Sequence, residues 1–329
     1  MMRLNSQWKP YFLHTVILAV VGLLLLITGG CIGSNSINPP GTDSGSGSYE
    51  LADSTGYVVR LPQKPQRIVS LSISGDEILM ALVAPRRIAA LTYLADDGGI
   101  SNIVEQAKAI PGKVRGNAES VIPTQPDLVL MPDWYPAEFT QTLRDAGLTV
   151  YVYKTPDTIE EVKQSVRQIA RVVGEEEAGE QVVADMDRQL TQTSDRVKHI
   201  AAGEQKVVIY YSLMGGTNGK DSTFEDICRQ AGVINGAAAA GLGRGALLSK
   251  EQLVAINPDI IILPVWDYTG TTDMKKFADD IQNDPALQSV KAIQDRQLIA
   301  VPDRHFNSTS QYIVQAVQDI AQAAYPQYF

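Results

Sequence analysis

Apolar residues between positions 175 and 203 recur three, four or seven apart, at Ala178, Val182, Met186, Leu190, Val197 and Ile200, in an otherwise charged stretch. This spacing predicts one long helix with a single buried face. Glu175 to Glu177 open it where the helix dipole favours negative charge, and Arg196, Lys198 and Gly203 close it where cations and a left-handed cap residue belong. At 1.5 Å per residue it would span on the order of 40 Å, about the width of a small domain. The flanks repeat one pattern. Before the helix, apolar β-branched runs predict strands at 67–71, 87–91, 127–131 and 149–153, alternating with helical patterns at 76–83, 137–146 and 158–173. After it, strands are predicted at 206–211, 259–263 and 297–301, with helices at 223–231, 250–256, 275–281 and 310–324. Such alternation predicts an α/β fold with mainly parallel sheets. It is divided into an N-terminal lobe over 49–174, an inter-lobe helix over 175–203 and a C-terminal lobe over 204–329.

The first 48 residues read differently. Arg3 and Lys9 precede an apolar run from Val16 to Ile27 and then Thr28-Gly29-Gly30-Cys31, which predicts an export signal over 1–30. Small residues directly before Cys31 resemble the lipobox of bacterial lipoproteins, which implies that Cys31 is acylated and anchors an extracytoplasmic protein to the cell membrane. The alternative is a retained membrane-spanning helix beginning near Tyr11. The Gly-, Ser- and Pro-rich tract from Ser34 to Ser48 cannot bury a core, so 31–48 is predicted to be a flexible tether. Only Cys228 remains beyond Cys31, which excludes an intrachain disulfide in the mature chain, and its helical setting suits a small core hydrophobe.

Composition narrows the function. A chain of 329 residues with 44% hydrophobic content has room for two domains. Its net charge of −9, with no Lys/Arg block, gives no footprint for nucleic acid.

Three segments carry a family resemblance: R-I-V-S-L-S-I-S-G-D-E-I-L-M-A-L (Arg67 to Leu82), N-A-E-S-V-I-P-T-Q-P-D-L-V-L (Asn117 to Leu130) and L-S-K-E-Q-L-V-A-I-N-P-D-I-I-I-L (Leu248 to Leu263). They are similar, in order, to the substrate-binding proteins that serve ABC importers of siderophores, haem and cobalamin. The likeness runs from about Tyr57 to Pro326. It departs at Ile73, where a Pro is usual. It implies two Rossmann-like lobes joined by one long helix, with a ligand cleft between them. It also implies a monomer whose partners are a metal chelate and a permease dimer with its ATPase. The second and third segments each place a carboxylate in the first turn of a short helix, seven residues before Pro126 or Pro258. In the family the equivalent glutamates dock into basic pockets of the permease, which implies that role for Glu119 and Glu251. The plainer reading is that each complements a helix N-terminus.

Ligands of α/β proteins lie outside the carboxyl ends of the strands. Those loops hold Tyr93, Trp134 and Tyr135 in the first lobe, and Met214, Trp266, Tyr268, Arg304 and His305 in the second. Aromatic rings with one Arg suit a bulky, negatively charged metal chelate, although any single ring could be packing under a loop. His305 is either a ligand to a haem or cobalamin metal or a hydrogen-bonding cleft residue. A bare metal ion would need several His and carboxylates converging on it, so no metal site and no resident cofactor are expected. Gly215 to Asp221 lacks the spacing of a phosphate loop, and neither G-x-S-x-G nor H-E-x-x-H occurs. A binding protein is therefore expected, not an enzyme. The favoured ligand is an iron complex. The alternatives are a cobalamin-binding protein of the same family and an extracellular sensor or adhesion module not coupled to transport.

Overall fold

The strands Ile68–Ser70, Leu128–Pro132, Val150–Tyr153 and Ile260–Leu263 are buried at every position, the mark of parallel strands covered on both faces. The structure, a computed structural model, describes residues 47–329. The predicted signal, Cys31 and most of the predicted tether lie outside the described residues. The N-terminal lobe runs β1 (Tyr49–Ala52), β2 (Val58–Leu61), β3 (Ile68–Ser70), α1 (Ile73–Leu82), β4 (Ile88–Thr92), α2 (Val104–Ala107), β5 (Lys113–Val114), α3 (Ala118–Val121), β6 (Leu128–Pro132), α4 (Ala137–Asp145), β7 (Val150–Tyr153) and α5 (Ile159–Val173). After α6 (Glu176–Val197) the second lobe runs β8 (Val207–Tyr210), β9 (Gly216–Asn218), α7 (Thr223–Gln230), β10 (Ile234–Asn235), α8 (Gly236–Ala239), β11 (Arg244–Leu247), α9 (Lys250–Ile256) and β12 (Ile260–Leu263). It ends with α10 (Met274–Gln282), α11 (Lys291–Gln294), β13 (Leu298–Ala300), α12 (Asp303–Phe306) and α13 (Ile313–Ala324).

The first lobe holds a parallel sheet of order β5-β4-β3-β6-β7, and the second a parallel sheet of order β10-β8-β12-β13. In each, the chain builds outward on one side of its first long strand and then on the other, which leaves a crevice at the carboxyl ends where the direction switches. The antiparallel ribbons β1–β2 and β9–β11 stand apart from these sheets. The sequence pattern did not predict the ribbons, nor β5 and β10, whose two residues are too few to show a period.

Two corrections concern α6. Met186, Leu190 and Val197 of the predicted stripe are buried, and Ala178 and Val182 pack against the core half-buried, while the most buried positions of the first turns are Gly179 and Val183, one residue on. Gly179 sets the face: a Cβ there would lie 2.4 Å from the Ala170 Cβ of α5, so the close approach needs a residue that hydropathy does not mark. The helix also ends at Val197, not Gly203. Ile200 donates its N–H to the Val197 carbonyl, turning the chain so that its side chain packs against the core. At 22 residues the helix is about 33 Å long. Its start is pinned by buried Arg87, which bonds Glu175 Oε1 at 2.5 Å and the Val173 carbonyl at 2.6 Å.

Around α6 the lobes share one apolar interior. Leu79 of α1 and Val166 of α5 belong to the same buried cluster as Ile227 of α7 and Val317 of α13, with Met186 among them. Polar seams reinforce it. Asp226 of α7 accepts the N–H of Ile159, the first residue of α5, at 2.7 Å. Glu77 of α1 takes the Asn102 N–H and side-chain amide on Oε1, both at 2.9 Å, and the hydroxyls of Ser308 and Ser310 on Oε2 at 3.1 and 2.5 Å. Replacing Met186, which is 1% exposed, by Ala should cost about 2–5 kcal/mol. Urea unfolding should show this as a shift of one transition for both lobes. Two separated transitions would mean the interior is not shared.

Candidate ligand-binding crevice

A cavity of about 340 Å³ opens where all five parallel strands of the first lobe end. Ser72 and Ser74 come from the loop after β3, Thr92 and Tyr93 from β4, Arg115 from β5, Trp134 and Tyr135 from β6, and Tyr153 and Thr155 from β7. Thr309 contributes from the second lobe. Ser72 is the N-cap of α1, accepting the Gly75 N–H at 2.9 Å. Ile73 follows as the first helical residue, a position that also suits a proline. The amino end of α1 therefore abuts the cavity and biases it toward anions. The walls are aromatic: Trp134 stacks on Tyr135 at 4.1 Å, and the Tyr135 hydroxyl donates to the Leu71 carbonyl at 3.1 Å. Gly116 makes room for that phenol, since a Cβ there would lie 2.4 Å from its oxygen. Arg115, which the sequence reading missed, sits 4.2 Å from the centre of the Tyr93 ring. Its signal was the two-residue strand before it, too short to point to a carboxyl-end loop.

Beneath the cavity, Asp76 is fully buried and accepts the backbone N–H of Thr92 at 3.1 Å and its hydroxyl at 2.5 Å. Burial pushes its carboxyl well above the usual range. Tyr153, bonded to Ser72 at 2.5 Å, is likewise pushed up by burial.

None of the residues predicted from the second lobe lines this cavity, but Tyr268, Trp266 and Arg304 reach across to the first lobe. The Tyr268 hydroxyl lies 3.2 Å from that of Tyr93 across the crevice. The Trp266 indole donates to Asp97 of the first lobe at 3.0 Å, and Arg304 donates to the Gly98 carbonyl at 3.3 Å. Met214 is 88% exposed. His305 is held by Asp319 of α13, with Nδ1 at 2.6 Å from a carboxylate oxygen. Arg244 of β11 bridges to Asp157 of the first lobe at 2.5 Å. Among the described residues no group of three or more His, Cys, Asp or Glu could hold a metal ion, and no helix is long and apolar enough to cross a membrane. Cys228 is free and buried.

Glu119 and Glu251 occupy matching units. Asn117 caps α3 and Ser249 caps α9, and both glutamates are exposed in the first turn. Bonds from its own backbone N–H and from Ser249 hold the Glu251 carboxyl below its usual range. Each unit ends in a left-handed residue, Gln125 or Asn257. A Pro-Asp pair follows, whose Asp ties down the start of a central strand: Asp127 accepts the Arg67 N–H and Asp259 the Val207 N–H, both at 2.8 Å.

Two lobes of parallel sheet joined by a single helix, with an aromatic cavity at the strand ends, define a two-lobed solute-binding protein. The family model described as periplasmic binding protein matches residues 68–305, and the chain belongs to that family. It is 26% identical over 285 residues to an uncharacterized ABC transporter substrate-binding lipoprotein, YvrC, of Bacillus subtilis (strain 168), covering 85% of this chain and 86% of the relative. It is 24% identical over 276 residues to a cobalamin-binding protein of Halobacterium salinarum (strain ATCC 29341 / DSM 671 / R1), covering 82% and 72%. Among solved structures, the periplasmic heme-binding protein RhuT from Roseiflexus sp. RS-1 superposes with a TM-score of 0.67 at 22% identity, covering 80% of this chain and 99% of the other.

Because burial raises the Asp76 carboxyl above its unfolded value, its favourable contribution to stability is full below about pH 4 and is lost as pH rises through the raised value. Asp76→Asn removes that dependence. The stability of the parent relative to the variant, measured by urea unfolding, should fall as pH rises above about 4, and a flat difference would mean that Asp76 titrates like a surface carboxylate.

Proposed function

We propose that the protein is the lipid-anchored ligand-binding component of an ABC importer for a metal chelate, with an iron complex as the preferred ligand. The observation that carries this reading is the pairing of aromatic walls at Tyr93, Trp134 and Tyr135 with the Arg115 guanidinium and the amino end of α1. Such a site holds a flat, anionic guest by its periphery. It offers no set of ligands to the metal itself, so the metal arrives already coordinated by its carrier. Cys31, following Thr28-Gly29-Gly30, supplies the acylation site, and 31–48 the tether. Cobalamin is the second reading, favoured by the name of the Halobacterium relative.

Only Trp134 and Trp266 follow Trp8 in the sequence, so intrinsic fluorescence reports on the crevice. Titration of the mature domain with ferric siderophores, haem, cobalamin and free divalent ions should show quenching by a ferric chelate. Arg115→Ala should weaken that binding about tenfold to a hundredfold, as expected for a lost charge-assisted contact. A response to free ions alone, or to an uncharged sugar alone, defeats the chelate reading, whereas a response to cobalamin alone keeps the class and changes the ligand.

Glu119 and Glu251 are the proposed contacts to permease arginines. Charge pairs of this kind set register and encounter rate. Reversing both to Lys should cut uptake strongly while ligand affinity stays within about threefold, because exposed charges are screened over the distance to the cavity. Lost ligand binding with intact docking would refute the assignment.

A further inference from the structure

The crevice mouth holds a contact that ligand binding does not require. Trp266 is fixed at its backbone by Asp303, whose Oδ2 accepts the N–H groups of Val265 and Trp266 at 2.7 and 2.8 Å. Its indole crosses to the first lobe and lies against Gly99, where a Cβ would sit 1.9 Å from Trp266 Cδ1. There its N–H meets Asp97 Oδ2 at 3.0 Å, while Asp97 Oδ1 accepts the Gly99 N–H at 2.9 Å. One carboxylate thus both shapes the loop that receives the ring and binds the ring. Flanking bonds cross the same gap in both directions, from Arg304 to the Gly98 carbonyl at 3.3 Å and from the Asn102 amide to the Arg304 carbonyl at 2.7 Å. Neither Asp97 nor Gly99 lines the cavity.

We propose that Asp97 and Gly99 are positioning residues that form a slot for Trp266, and that the seated indole clasps the mouth shut in the ligand-free protein. The apolar interior around α6 keeps the base of the crevice joined, so the mouth is the part left free to open, and the clasp sets how often it does. The consequence for uptake rests on the crevice being the ligand site. The clasp itself is tested without ligand, so the two can fail separately.

In a Trp134→Phe background Trp266 is the sole tryptophan of the mature domain, and its acrylamide quenching reports whether the ring is seated. Gly99→Ala should at least double the quenching constant and shift emission to longer wavelength. Asp97→Ala should do the same, and Asp97→Asn, which keeps one acceptor oxygen for two N–H groups, should fall between the parent and Asp97→Ala. The Gly99 amide in the Asp97→Ala protein should exchange its hydrogen about tenfold faster, while amides of α6 exchange at the parent rate. A Trp266 already fully quenchable in the parent overturns the proposal. So does unchanged quenching in both Gly99→Ala and Asp97→Ala.

Discussion

Everything in this molecule is constrained by the apolar interior that its two lobes share around α6, beside which each lobe keeps a smaller core of its own. The stripe from Gly179 to Val197 on α6 packs with helices of both lobes, and the buried cluster passes through it without a break. A carboxylate sits in the same seam. Burial pushes Glu77 above the usual range, and four donors, two from each lobe, act against that shift. A buried charge with no cation beside it is tolerable only while every donor stays in place. The lobes are therefore welded at the base, and relative motion is confined to rearrangement at the mouth.

That restriction suits the chemistry of the crevice. The cavity belongs almost wholly to the first lobe, being built at the ends of its five strands, and the second lobe contributes Thr309 at its edge. The greater part of the cavity wall thus belongs to one sheet. Its walls are stiff: Tyr135 is fixed between Gly116 and the Leu71 carbonyl, and Tyr153 is tied to the cap of α1. A rigid aromatic site loses little conformational entropy on binding, which raises the share of contact energy that appears as affinity.

Much of this was legible in the sequence. Fully buried parallel strands such as Leu128–Pro132 and Ile260–Leu263 announce themselves as apolar runs, and the Pro-Asp pairs at 126–127 and 258–259 marked the same unit in both lobes. What escaped had physical reasons. The α6 stripe was read correctly at Met186, Leu190 and Val197, but Gly179, a close contact of the helix, carries no hydrophobic signal. Arg115 was missed because a strand of two residues has no periodicity. The aromatic residues of the second lobe could be placed on crevice loops, but not assigned to a direction. Trp266 turns toward Gly99 because Asp303, 37 positions away in the chain, holds its backbone, and His305 turns toward α13 because Asp319 takes its ring nitrogen. Such orientations depend on partners that local pattern does not reveal.

The bond from the Ile159 N–H to Asp226 has a consequence for how such a chain can change over generations. Thr158 caps the start of α5 from within its own lobe, but the first amide of the helix finds its acceptor in the opposite half of the sequence. The halves resemble each other, each with its own sheet and its own Pro-Asp tie, yet they are not interchangeable modules. A recombination that swapped one half for that of a distant relative would have to bring a matching acid at position 226 or leave an amide stranded in the interior. Each lobe thus narrows the substitutions open to the other, and the pair is held to a common history.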